Sequence, residues 1–352
     1  MSEEFRELLK KVGSGTHTSK DLTRTEAAAA TEMMLEQIAT PAQIGAFTIA
    51  HRIKRPTPEE LAGMLDCYDK IAPKLSLTHL SNSKTPVVFG NPYDGRSRHV
   101  PVMPITALIL AAVDIPVIMH GGDYMPTKYG IPLIEIWQLL GVDLTNLSLA
   151  ENEKLLAETG ISFVYLRKHF PQAYNLVTYR EQIGKRPPFA TVELIWLPVA
   201  GDVHLVSGFV HPPTETRFQE TFSLRNVTNY TTVKGLEGSC DLARNRTAII
   251  GLGSPEGFER LHLNPRDYDL DGTDLPLESK TQLIEQTKLV IEGKNCELMP
   301  SAILNGGFYL WRFGICQDLA SGFAQAEEML TKGKVKAKLN QLQSICIAKS
   351  LN

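Results

Sequence analysis

The spacing of apolar residues changes along the chain. From Glu3 to about Pro73 they recur at helical intervals, and helix-start signals sit between them. Leu22-Thr23-Arg24-Thr25-Glu26 leads into Ala27 to Ala30 and a stripe through Met33, Met34 and Ile38. Thr40-Pro41-Ala42-Gln43 and Thr57-Pro58-Glu59-Glu60 each place a threonine at the N-cap and a proline in the first turn, where its missing N–H costs nothing. No strand signal appears before Val87.

The pattern then shortens. Pro86 to Phe89 and Ile115 to Met119 are compact, β-branched runs on either side of the apolar segment Ile105 to Val113, which predicts strand, helix, strand. Each strand empties into a glycine-bearing loop, Gly90 to Gly95 and His120 to Asp123, where α/β sheets usually hold ligands. Glu151 to Tyr165 reads as helix then strand and Lys168 to Lys185 as helix. Strands are expected at Thr191 to Leu197, His204 to Phe209, Thr231 to Val233 and Ala248 to Gly251. Glu256 to Glu278 reads as an acidic loop, and the chain ends in helices over Ser301 to Ala320, Phe323 to Lys332 and a lysine-spaced tail. An α/β sheet with helices at both ends of the sequence is the simplest architecture.

Composition narrows the chemistry. With 352 residues, 43% apolar and a net charge of −3, the chain can bury a large core and has no global attraction for nucleic acid or membrane, so any anion site must be local. The N-terminus lacks a signal peptide's apolar stretch, and the longest apolar run contains Asp114 and is too short to span a bilayer; a cytoplasmic protein with no membrane contact is expected. Five scattered cysteines without CxxC spacing argue against disulfides and zinc. Asp267 to Glu278 has the spacing of a calcium loop, but Asn264-Pro265 stands where the entering helix should run, so no calcium is expected. Gly251-Leu252-Gly253-Ser254-Pro255-Glu256-Gly257 reads as a turn, its third glycine falling one residue late for a dinucleotide fingerprint, and His211-Pro212-Pro213 as a rigid loop.

Several blocks share one likeness. Gln43-Ile44-Gly45-Ala46-Phe47, Thr57 to Gly63, His120-Gly121, Lys128, Gly130, Leu140-Gly141-Val142, Asn305-Gly306-Gly307 and Ala320 to Ala326 resemble, in order and spacing, the anthranilate phosphoribosyltransferases. The resemblance implies an α/β fold with a small all-helical domain, residues 1–75 and 167–188, and a larger α/β domain, residues 76–166 and 189–352, around a central, mostly parallel sheet. It also implies a homodimer through the helical domain, phosphoribosyl pyrophosphate with Mg2+ at the first glycine loop, and an acceptor between the domains.

The residues that would carry this chemistry are altered. A family loop Gly-Thr-Gly-Gly-Asp corresponds to Gly90-Asn91-Pro92-Tyr93-Asp94, so only Gly90 and Asp94 match, and Pro92 and Tyr93 cannot form the glycine cradle for phosphates. The Asn-x-Ser-Thr clamp has become Pro101, Val102, Met103 and Pro104. Lys-His-Gly-Asn-Arg has become Met119, His120, Gly121, Gly122 and Asp123, a local change of about three charges against a pyrophosphate, while Lys128 survives downstream. The metal-binding Asp-Glu pair matches Cys240-Asp241, leaving Asp241 as the one hard ligand for Mg2+. Arg180 and Arg186 match a helix end that approaches the acceptor carboxylate in the family.

The expected function is therefore that of a pentosyltransferase-like protein with a remodelled site, which does not perform ordinary anthranilate transfer and holds a small anionic ligand through Gly90, Asp94, His120, Gly121, Lys128, Arg180 and Arg186. The alternative is a dimeric protein binding single-stranded nucleic acid in a basic inter-domain groove built from Arg167, Lys168, Arg180, Lys185, Arg186, Arg244 and Arg246. His169 and Lys234 belong to the same basic set, which also suits a solvated surface. Tyr93, Tyr124 and Tyr129 suit either base stacking or the filling of an emptied phosphate pocket.

Overall fold

The computed structural model describes residues 2–15, 17–80, 84–90 and 96–350. Capping boxes start the helices Arg24–Leu35, Pro41–Lys54 and Pro58–Ile71 at Thr23, Thr40 and Thr57, each threonine accepting from the backbone three residues on. These helices and Glu3–Gly13 enclose Phe5, Met34, Ile44, Phe47, Leu61 and Tyr68, forming the N-terminal helical domain.

Among the described residues nine strands follow: β1 Leu75–Ser76, β2 Val87–Gly90, β3 Val117–Gly121, β4 Ile161–Tyr165, β5 Val199–Ala200, β6 His204–Gly208, β7 Tyr230–Val233, β8 Ala248–Ser254 and β9 Gly257–Leu263. β1 and β5 form a small parallel pair, and the others form a seven-stranded sheet in the order β4-β3-β2-β6-β7-β8-β9. β4 through β7 run parallel, with Val87 level with Val117 on one side and His204 on the other. β2, β3, β4 and β6 are buried at every residue, as strands covered on both faces must be, so they read as continuous apolar runs. One face packs on Met103–Ala111 and Met299–Arg312; the other, through Val88, Ile118, Val164 and Leu205, shares a core with the N-terminal helices.

Five segments differ from the sequence expectation. Thr191 to Leu197 is not a strand but a short helix, Phe189–Val192, continued by a 3-10 turn, Glu193–Ile195. Its β-branched residues yield to tertiary contacts: Phe189 and Trp196 pack against Tyr68, and Glu193 pairs with Arg180. Glu256 to Glu278 is not all loop, since β9 returns along β8 after a tight turn at Pro255-Glu256, and its first four residues are exposed, so no buried stripe marks it. Ser301 to Ala320 is not continuous; the first helix ends at Arg312, Gly314 turns at φ +73°, and Asp318 caps the next helix, Leu319–Thr331. His211-Pro212-Pro213 opens the helix Pro212–Leu224 rather than a rigid loop. Lys168 to Lys185 is three short helices, Leu166–His169, Pro171–Asn175 and Val177–Ile183. No described helix is long and apolar enough to cross a membrane.

Candidate anion-binding cleft

The carboxyl ends of β2 and β6 meet other backbone almost without clearance. A Cβ on Gly90 would lie 1.9 Å from the Leu194 carbonyl oxygen, and one on Gly208 would lie 2.2 Å from that of Gly238. Only glycine permits this approach, so both residues are explained by packing. Asp94 and Tyr93 lie outside the described residues.

Beside these strand ends Arg96 is buried between two carboxylates. Its Nη1 donates to Asp241 Oδ2 at 2.8 Å and to Ser239 Oγ at 3.1 Å, and its Nε donates to Glu237 Oε1 at 3.2 Å. Glu237 also accepts from the backbone N–H groups of Ser97, Arg98 and His99, and Lys128 Nζ stands 3.6 Å from it. Burial pushes the Glu237 carboxyl up, but Arg96, Lys128 and these amides more than offset it and bring it down to about 2. For Asp241 burial wins and raises the carboxyl despite Arg96. Asp241 further accepts from the Val102 N–H, inside the segment that replaces the phosphate clamp. Cys240 is fully buried, which pushes its thiol well above the ordinary range.

This donor set does not fit Mg2+. A magnesium ion needs hard oxygens with open lone pairs and room for water, whereas Asp241 and Glu237 are already engaged by a guanidinium and by amides. Among the described residues no group of three His, Cys, Asp or Glu side chains could hold a metal ion. The Nη2 of Arg96 is buried and has no partner among the described residues.

The remaining predicted residues do not gather into one site. His120 is wholly buried at the end of β3, its ring edge-on to Trp196 at 5.2 Å; burial takes its pKa down to about 3, so it is a neutral core residue that does not face solvent. Gly121 closes the same strand. Lys128 donates to the Glu237 carbonyl at 3.2 Å. Arg180 is buried against Glu193 and Met125 rather than lining a groove. Arg167 pairs with Asp123 at 3.3 Å, Lys168 bonds the Asn146 carbonyl, and Arg244 is tied to carbonyls of the acidic loop at Leu270, Asp271 and Thr273. Arg246 Nη2 reaches the Gly235 carbonyl at 3.5 Å, and Lys185 is exposed just after the helix Val177–Ile183. The anticipated basic groove thus dissolves into separate local contacts, because an arginine finds the nearest carbonyl or carboxylate that the fold presents. Tyr124 and Tyr129 are exposed, and the Tyr129 hydroxyl donates to Glu181.

A different basic cleft takes its place. Between the helical domain and the ends of β6 lies a cavity of about 790 Å3 whose charged lining is Arg52, Arg55, Arg186 and Arg217, with His211 beside them. Among the described residues no aspartate or glutamate lines it. Of the described residues expected to bind the ligand it contains Arg186, held where Arg52 Nε donates to the Arg186 carbonyl at 2.9 Å. Arg52 and Arg55 come from the end of Pro41–Lys54 and Arg217 from Pro212–Leu224, each an ordinary surface position in the sequence. Burial lowers the Arg217 pKa, aided by the like charge of Arg55. Such repulsion at a shared cavity is relieved by an anion between the two.

Comparison with known proteins places this architecture. Residues 6–70 match the helical bundle domain of the glycosyl transferase family, and residues 96–336 match its a/b domain. The chain belongs to this family. An anthranilate phosphoribosyltransferase of Azorhizobium caulinodans is 26% identical over 97% of this chain and 96% of its own length. An uncharacterized protein of Aquifex aeolicus is 25% identical over 89% of this chain and 94% of its own. Among solved structures, anthranilate phosphoribosyltransferase from Thermus thermophilus superposes with a TM-score of 0.76 at 19% identity, covering 96% of this chain and 99% of that one. The Saccharomyces cerevisiae enzyme in complex with PRPP and Mg gives a TM-score of 0.83 at 14% identity, with 99% of both chains covered. The glycosyltransferase chain is thus anthranilate phosphoribosyltransferase-like in sequence and in fold.

Proposed function

We propose that this family member no longer carries out magnesium-dependent phosphoribosyl transfer to anthranilate and instead binds a phosphate-bearing anion, without metal, in the inter-domain cleft. The observation that carries the reading is the lining of that cleft, which gathers four arginines and a histidine and, among the described residues, no carboxylate. Arg96 supports it from the donor side. Departure of pyrophosphate needs mobile positive charge on the leaving group, and here the carboxylates that would hold a divalent ion are already paired with the chain's own guanidinium. Arginine suits phosphate better than a hydrated ammonium does, since its fork matches two oxygens at once.

Single-stranded nucleic acid as the ligand is a second reading, favoured by the number of guanidiniums, which exceeds what one phosphate group requires and suits a run of backbone phosphates. A homodimer through the helical domain belongs to the same proposal. The test is fluorescence anisotropy of a labelled mixed-sequence oligonucleotide at two salt concentrations, with and without a chelator, using phosphoribosyl pyrophosphate as competitor. Binding that falls steeply with salt and ignores the chelator supports the nucleic-acid reading. Binding of phosphoribosyl pyrophosphate alone, unaffected by chelator, supports a small anion. Magnesium-dependent binding followed by transfer to anthranilate overturns both.

A further inference from the structure

The opposite end of the sheet, where the parallel strands begin, holds a second basic cavity. It measures about 410 Å3 and brings together Lys84 and Thr85 ahead of β2, Ile115 ahead of β3, His204 at the start of β6 and Asn229 ahead of β7, with Arg312 and Phe313 from the end of Met299–Arg312. Among the described residues no carboxylate lines it. We infer that this cavity is a binding site for a phosphate monoester, separate from the inter-domain cleft.

The central group is Arg312. Its Nε donates to Thr231 Oγ1 at 2.9 Å, and its Nη2 donates to the carbonyls of Tyr230 at 3.2 Å and Gly253 at 3.0 Å. These contacts pin the guanidinium across β7 and β8 without neutralising it, because all three acceptors are uncharged and no carboxylate of the described residues forms an ion pair with it. Burial lowers its pKa, and Glu259 acts on it only through space. A largely buried cation whose partners are all neutral leaves a strong preference for an anion at its remaining face.

The walls complete such a site. Lys84 is exposed at the rim, where its Nζ donates to the Val113 carbonyl at 3.1 Å, and it forms no ion pair among the described residues. The Asn229 side chain makes no hydrogen bond among the described residues and can donate two. His204 Nε2 stands 2.8 Å from the same Thr231 hydroxyl, and its ring meets Phe313 edge-on at 5.1 Å, so it braces the guanidinium from behind. Burial and the Arg312 charge take the His204 pKa down to about 3, which keeps it neutral near pH 7. Two cations and a two-donor amide match the oxygens of one phosphate group. Ile115 and Phe313 offer apolar surface to the carbon part of an ester.

The test is NMR of the full-length protein carrying 13C-labelled histidine, because His204 sits in the cavity and reports on it locally. Inorganic phosphate and glycerol 3-phosphate are titrated separately, against chloride at matched ionic strength. The expected result is a saturable shift of the His204 resonance, unchanged when an inter-domain cleft arginine is replaced, and tighter for the ester if the apolar wall takes part. Lys84→Ala should weaken the binding about tenfold, the loss expected when one charge-assisted contact disappears. Arg312→Lys, which keeps the charge but loses the fork, should abolish saturation. Should that variant misfold, the exposed Lys84 position still decides the matter. A His204 resonance that does not move up to about 20 mM phosphate, above the ~1 mM dissociation constant of a weak small-ligand site, overturns the inference. So does a shift that chloride reproduces, or one that Lys84→Ala leaves intact.

Discussion

Individual buried charges govern how this protein should respond to pH. Glu60 sits at N3 of Pro58–Ile71, accepts from the Leu22 N–H at 2.9 Å and from Lys54 at 2.8 Å, and has His51 Nε2 at 3.2 Å. Burial raises its carboxyl, but His51 and Lys54 overcome that and lower it to about 2. Its unfolded value is about 4.3, so its contribution, on the order of 3 kcal/mol, is complete above that value and is lost as pH falls toward 2. His120 and His204 act earlier. Both are held down to about 3 by burial, so below about pH 6.5 the unfolded chain takes up protons that the folded one refuses, and stability falls as pH falls. Urea unfolding should therefore weaken from about pH 6.5 downward and more steeply below about pH 4.5, where Glu60 joins, and His120→Phe should lessen the slope over the range from about pH 6.5 to 3. Arg96→Ala makes the sharper residue-level prediction. Removing one partner from a buried ionic cluster should cost about 3–5 kcal/mol, and added Mg2+ should restore part of it by binding the exposed Glu237 and Asp241; a thermal midpoint indifferent to Mg2+ would count against the view that Arg96 stands where a cation could.

At the level of elements, glycines set the closest approaches. The helices Met299–Arg312 and Leu319–Thr331 cross at Gly307 and Gly322, where a Cβ on Gly322 would lie 2.4 Å from the Gly307 carbonyl oxygen. Gly322→Ala should therefore cost about 1–3 kcal/mol through overpacking, even though alanine favours an isolated helix, and the midpoint of urea unfolding measures it. Gly90→Ala drives a methyl group into the Leu194 backbone and should be worse, since neither strand β2 nor the turn Glu193–Ile195 has a flexible side chain to yield. The caps were legible from the threonine, proline and acidic or amide residues at fixed offsets, because N-capping is a local contract between a side chain and the next turn. The short helix Phe189–Val192 was not, because what holds it is an arginine nine residues before it and an aromatic contact with Tyr68 of the helical domain. β9 was hidden for the opposite reason: an edge strand facing solvent carries no buried stripe to read.

The whole molecule gathers the cleft arginines from three places. Arg52 and Arg55 end one helix, Arg186 follows another and Arg217 lies in a third, so their joint effect exists only once the helical domain is docked on the sheet. If they contact a polyanion, Arg52→Ala and Arg217→Ala should each lower affinity and each reduce the slope of log K against log salt by about 1, one phosphate contact apiece, as read by anisotropy over a salt series. Arg244→Ala, at a side chain bonded to the acidic loop and lining a different cavity, should leave that slope unchanged. Sedimentation velocity checks the proposed homodimer: the expected mass is twice the 39.0 kDa of one chain, and a monomer at the concentrations used for binding would sink it.

The sequence by itself determined the architecture. Buried strands, capped helices and their order are written in local patterns, and the α/β domain beside an N-terminal helical domain follows from them. It also determined the losses, since a proline in a phosphate loop and a cysteine in a metal pair are legible as letters. What only the tertiary structure decided is where the charges went. Arg180 and Arg244 were drawn to nearby acceptors, Arg96 crossed to Asp241, 145 residues away, and Arg186 was joined in the cleft by Arg52, Arg55 and Arg217, which no motif marks. The reason is physical: an apolar pattern acts through its own element, whereas a charged side chain pairs with whatever lies within a few ångströms, and that neighbour is chosen by the fold.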